Sequence, residues 1–183
     1  MIVVVIICVL AALATVGFKR WVARARSGEA VAMLAEMSSK EQTYKLEFAN
    51  YIPLRADNNA DLPSPNESET AFYPVAAGSS VLESARTATS ISDSTKWPDG
   101  WKAVGVRPRD NQLYCTYMTN AGNAGNDTSA LKYGALVVGA TAAPWFYSLA
   151  ACNLEGKSGY PDDVSVFAIS SVSSSMRIFN EGR

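Results

Sequence analysis

The side chains that most often carry reaction chemistry are sparse in this chain, and one kind is missing. There is no histidine among its 183 residues. That excludes Ser-His-Asp and Cys-His nucleophile activation, imidazole metal ligation and a histidine pH switch. Carboxylates stand at Asp57, Asp61, Asp110, Asp162 and Asp163, but no pairing for acid–base work is visible, and surface acids mostly solvate. No catalytic residue is assigned, and the chain reads as a non-enzyme. Asn153 and Glu155 precede Gly156 and supply oxygens around a glycine, as calcium loops do. Lys157 puts a positive charge in the same place, and a plain β-turn explains the pattern equally. No metal or cofactor is expected.

Of three cysteines, Cys8 lies in an apolar run, while Cys115 and Cys152 lie far along the chain beside apolar and aromatic residues. No CxxC is present, so the spacing gives no metal motif. Two cysteines downstream of a membrane segment fit one disulfide in an oxidising compartment; two inert buried thiols are the alternative. A bridge would close a loop of about 36 residues, worth about 3–4 kcal/mol by the loop-entropy model. Trp97-Pro-Asp-Gly-Trp101 is a turn flanked by two tryptophans. These rings either form an exposed sugar-binding pair or cover the core of a small domain.

Composition is near the globular average, with 48% hydrophobic residues, 18% charged and a net charge of -1. There is no electrostatic case for nucleic-acid binding. The apolar residues are unevenly spread. Met1 to Phe18 carries no charge, which is the lower edge of a membrane-spanning helix. No basic residue precedes it, as a cleaved signal peptide would require, so the segment is read as retained. Residues 1–18 are assigned to a transmembrane or filament-core helix, with Ile2, Val5, Ile6, Val9, Leu10 and Leu13 as its packing residues.

Residues 19–49 continue as an amphipathic stalk helix without a turn signal. Ala, Glu, Lys, Arg, Met and Leu predominate, all good helix formers, and no proline occurs before Pro53. Ala30, Leu34, Met37, Tyr44 and Phe48 fall on one face, interrupted by Glu41. Leu34, Met37, Tyr44 and Phe48 are expected to pack the stalk on the head, while Glu29, Glu36, Ser39, Lys40 and Glu47 take other faces.

The first 35 residues resemble type IV pilins and pseudopilins. The likeness rests on Met1-Ile-Val-Val-Val-Ile-Ile7, Leu10-Ala-Ala-Leu-Ala14, the basic-aromatic junction Phe18-Lys-Arg-Trp21, then Ala23-Arg-Ala-Arg-Ser27 and Glu29-Ala30. A weaker likeness to pilin-like proteins runs through Trp101–Pro108, Leu113–Cys115, Pro144–Tyr147 and Ala151–Gly156. The family's leader ending in glycine, its first aromatic residue and its assembly glutamate have no counterpart here. The expectation is therefore that the true start lies upstream of Met1. Relatives often carry Asp-x-Asp-Gly where this chain has Asn153-Leu-Glu-Gly156.

Residues 50–183 are expected to form an exported β-rich head, loop-rich over 53–95. Strands are expected at 112–118, 133–139, 145–151, 164–170 and 176–179, with a turn over 120–126. The fold class is α+β: a long N-terminal helix packed on a small antiparallel sheet, as the resemblance implies. The flank Lys19, Arg20, Arg24, Arg26 would place that side in the cytoplasm by the positive-inside rule. The cysteines and the Ser/Asn/Gly-rich remainder argue for export, and an upstream basic leader would remove the conflict.

The function these readings give is a structural subunit of a type IV pilus-like filament. Its partners would be copies of itself or other pilins, the inner membrane before assembly, and the pilus assembly machinery. The head would be periplasmic, and the filament extracellular or periplasmic. A type II secretion pseudopilin, and a single-span membrane-anchored binding domain or adhesin that never polymerises, are the alternatives.

Overall fold

The computed structural model describes residues 2–57, 67–75, 79–85, 88–139, 141–154 and 164–180. Within the first helix, the side chains of Ile2, Val5 and Val9 are outside that description, and Glu155 lies outside it entirely.

Helix α1 runs unbroken over Ile2–Phe48, 47 residues, or about 70 Å. It ends where Ala49 turns to φ 59 and donates its N–H to the Lys45 carbonyl at 2.8 Å. Pro53, four residues on, cannot resume a helix. Among the described residues no helix is long and apolar enough to cross a membrane.

The head carries α2 (Val81–Ser84), β1 (Thr89–Ser90), α3 (Asp99–Val104), β2 (Gln112–Leu113), β3 (Thr116–Gly122), α4 (Gly134–Val137), β4 (Trp145–Cys152), β5 (Ser165–Ser170) and β6 (Arg177–Phe179). Strands β3-β4-β5-β6 form an antiparallel meander, and β1 pairs with β2 apart from it. The architecture is α+β, with α1 laid against β4 and β5.

Both faces of the meander are covered, which explains why β4 lacks clean alternation between apolar and polar residues: all eight of its residues are buried. On one face Cys115, Tyr117, Ala150, Cys152 and Phe167 meet Ala30, Met33, Leu34 and Met37 of α1. On the other, Met118, Trp145, Tyr147, Leu149 and Val166 meet Phe72, Val81, Tyr133 and Val137.

Three expectations need correction. Residues 133–139 are not a strand; they hold α4. The Glu67 carboxylate accepts the N–H groups of Tyr133 and Gly134 at 2.8–3.1 Å, supplying the acceptor that the start of a helix lacks. The segment Asn120-Ala-Gly122 is not a turn but the end of β3, paired as far as Gly122 with Trp145. A Cβ on Gly122 would stand 2.4 Å from Trp145 Cζ2, so glycine there makes room for the ring. The expected strand over 112–118 is split between β2 and β3, which belong to different sheets.

The Trp97–Trp101 segment starts a helix. Pro98 takes the cap position of α3, where its missing N–H costs nothing, and Gly105 closes it at φ 70. Trp101 is fully buried against Tyr73, with ring centroids 5.1 Å apart. Trp97 is half-buried and donates Nε1–H to the Ile91 carbonyl at 2.8 Å.

Candidate functional site

The functional surface is built along α1, from what the helix gives to the head and what it leaves bare. Three glutamates of the helix accept backbone N–H groups of the head. Glu29 takes Tyr114 N–H at 2.9 Å, Cys115 N–H at 3.1 Å and the Tyr117 hydroxyl at 2.8 Å. Glu36 takes Arg107 N–H at 2.8 Å. Glu41 takes Ile52 N–H at 3.2 Å. Each donor lies outside the regular ladders, so a side chain or water must satisfy it.

The sequence puts Glu29 and Glu36 on faces other than the apolar stripe and Glu41 within it; Glu41 is buried there, and what the sequence does not show is that all three bond the head. The spacing of seven keeps Glu29 and Glu36 within about 20° of each other, at the flank of the apolar stripe, and the further five residues turn Glu41 by about 140° into the stripe itself, beside Leu34 and Met37. Burial pushes the Glu29 carboxyl above the usual carboxylate range; its hydrogen bonds to Tyr117, Cys115 and Tyr114 pull the other way. Burial also pushes Glu41 up to about 8. Its Oε1 has no hydrogen-bond partner among the described residues, which suits a protonated carboxyl. The Tyr117 hydroxyl is pushed up by burial and by the adjacent Glu29 charge.

Leu34 and Met37 are fully buried against the sheet. Tyr44 is half-buried and stacks on Phe48 at 4.4 Å. Phe48 is 60% exposed, so it does not join the stalk–head packing: the helix outruns the sheet in its last turn.

Cys115 and Cys152 form a disulfide with Cα atoms 4.6 Å apart. The pairing Thr116↔Ala151 puts them in register one step beyond the end of the β3–β4 ladder. Asn153 is buried; its N–H donates to the Ala85 carbonyl and its carbonyl accepts from Arg26. It is thus held in the packing, and among the described residues no three acidic or cysteine side chains gather as a metal site.

A second polar cluster, unsuspected from the sequence, lies on the far face of the sheet. Tyr147 donates its hydroxyl to Glu67 at 2.8 Å and accepts from Asn120 Nδ2 at 2.7 Å, while Asn120 Oδ1 accepts from the buried Arg55 at 3.1 Å. Arg55 is ion-paired with Asp57 at 3.1 Å. Burial and the Glu67 charge push the Tyr147 hydroxyl up. This chain fastens the segments around residues 55 and 67 over the sheet.

Among the described side chains, the N-terminal part of α1 is bare. Val3, Val4, Ile6, Ile7, Leu10 and Leu13 are 53–67% exposed, as are Phe18 and Trp21 at 64% and 66%. Where α1 reaches the head, an open groove of about 890 Å³ lies between the helix and residues 109–114. Val22, Ala25, Met33 and Leu113 give it an apolar wall, and Trp21 stands at its lower end. Arg26, Arg109, Asp110 and Glu36 line it with both signs of charge. Arg26 lies 4.9 Å over the Tyr114 ring, and its Nε is buried with no hydrogen-bond partner among the described residues.

Comparison with known proteins finds no match to this chain among family models, curated proteins or solved structures.

Proposed function

We propose that this chain is a structural subunit of a type IV pilus-like filament, anchored by its N-terminal helix before assembly. The observation that carries this reading is the division of labour along one unbroken helix. Its first third is apolar, with every described side chain there exposed, and its second half is fastened to an antiparallel head. Bare valine, isoleucine and leucine in water are unfavourable at about 25 cal/mol per Å², so this third is built to be covered. The uncharged run over residues 2–18 is about 25 Å long, just short of the roughly 30 Å hydrocarbon core. A helix of that length sits in a bilayer with some thinning and gains from packing against copies of itself. A pseudopilus of a secretion system would use the same build.

The test is to exchange residues 1–18 for an unrelated apolar helix in the full chain. Loss of filaments in electron micrographs, with the head still folded, supports a filament subunit. Equal behaviour of the two chains, with no filaments from either, points instead to a single-span anchored binding domain.

A further inference from the structure

We propose that the groove beside α1 holds one glycerophospholipid with a zwitterionic, ammonium-bearing headgroup, drawn from the bilayer that the apolar run enters. This rests on the membrane-anchored reading above. Two observations lead to it.

The first is continuity. Phe18 and Trp21 are exposed and stacked, with ring centroids 6.2 Å apart, at the step from apolar to basic sequence. Such aromatic residues settle at the edge of the hydrocarbon core. Arg26 follows Trp21 by five residues, about 7.5 Å along the helix. The headgroup layer is about 5–7 Å deep on each side of a bilayer. With Trp21 at the hydrocarbon edge, the backbone of Arg26 therefore lies at the outer boundary of the headgroup layer. A lipid standing upright there would lay its chains along exposed Leu10, Leu13 and Phe18.

The second is charge. Arg26 spends one Nη1–H on the Asn153 carbonyl at 3.4 Å and carries a buried Nε with no partner among the described residues, and Arg109 is exposed and in no ion pair among the described residues. Two guanidinium groups suit a phosphodiester. Asp110 and Glu36, whose Oε1 also accepts Arg107 N–H, share the same wall and would repel a purely anionic headgroup. They suit an ammonium instead. Glu29 is occupied on both oxygens by the head and is not counted. Phosphoethanolamine presents both charges.

The experiment uses the full chain in non-ionic micelles, titrated with dihexanoyl phosphatidylethanolamine, a short-chain probe that needs no bilayer. Trp21 fluorescence reads occupancy. The expected result is saturable binding whose signal disappears in Trp21→Phe. Binding weakens about tenfold in Arg109→Gln and further with Arg26→Gln, and dihexanoyl phosphatidylglycerol binds about tenfold more weakly. Arg109 is exposed, so its variant folds even if the Arg26 variant does not. No saturable binding, binding indifferent to Arg109→Gln, equal affinity for both lipids, or displacement of the lipid by a second copy would each overturn the proposal. Flotation with phosphatidylethanolamine vesicles is measured separately. Flotation without probe binding sinks the groove site alone. Probe binding without flotation upholds the ligand and overturns the anchor.

Discussion

Glu29 on the first helix accepts the Tyr117 hydroxyl at 2.8 Å, across 88 residues of chain. Its two oxygens also take the N–H groups of Tyr114 and Cys115, so one side chain satisfies three donors from the head. Glu29→Ala should cost about 2–3 kcal/mol, because the part-buried Cys115 N–H and Tyr117 O–H donors lose their acceptor. Tyr117→Phe should cost about 1 kcal/mol, since it removes donor and demand together. Urea denaturation of both singles and the double reads their coupling; strictly additive losses would mean the contact contributes nothing.

Stability should fall as pH rises from about 4.5 to about 8. Glu41 has its folded-state value raised to about 8 from 4.5 by burial, and Glu29 moves the same way. A group raised in the folded state binds its proton more tightly there. Its contribution is therefore fully present below the unfolded value and lost as pH climbs through the folded one. Glu41→Gln keeps an acceptor for Ile52 N–H and carries no charge. It should flatten most of that slope and raise Tm above pH 8, as thermal melts across the range would read. An unchanged slope in the variant would refute the assignment.

Helix α4 should depend on a residue that is not in it. Glu67→Ala withdraws the acceptor for Tyr133 N–H, Gly134 N–H and the Tyr147 hydroxyl. Hydrogen exchange at residues 133–137 should speed up at least tenfold, while amides of β4 and β5 away from Tyr147 stay protected. Uniform acceleration across the head would mean that the carboxylate supports the whole fold rather than this helix.

Reduction of Cys115–Cys152, which spans 37 residues, should cost about 3–4 kcal/mol by the loop-entropy model. Denaturation with and without reductant measures it. The paired variant Cys115→Ser with Cys152→Ser should match the reduced protein.

Leu34 and Phe48 were both expected to pack on the head, and they should differ sharply. Leu34→Ala empties a fully buried site and should cost about 2–5 kcal/mol. Phe48→Ala alters a largely exposed ring and should stay within about 0.5 kcal/mol.

The helix was legible in the sequence because its signals agree: strong helix formers, no proline before Pro53, and an apolar stripe through Ala30, Leu34 and Met37. Strands β4, β5 and β6 were legible from their β-branched and aromatic runs. Residues 133–139 misled because an apolar run of that length fits a buried strand or a short helix equally. The deciding partner, Glu67, lies 66 residues away from Tyr133. The glutamates of α1 misled for the opposite reason. A carboxylate on a helix usually faces water, and only the backbone donors at Ile52, Arg107 and Tyr114 bring these three inward. The groove was not legible at all, since it exists only where residues 109–114 approach Trp21 and Arg26.

The three glutamate contacts lie at successive heights on α1, with the disulfide beside the one nearest the bare end. Pulling on that end would load the contacts in shear, side by side, instead of peeling them one after another. The first to feel the tension is Glu29, whose grip on Tyr114 and Cys115 passes it directly into the cross-linked strand pair. The head is thus tethered to the helix through a cross-linked seam.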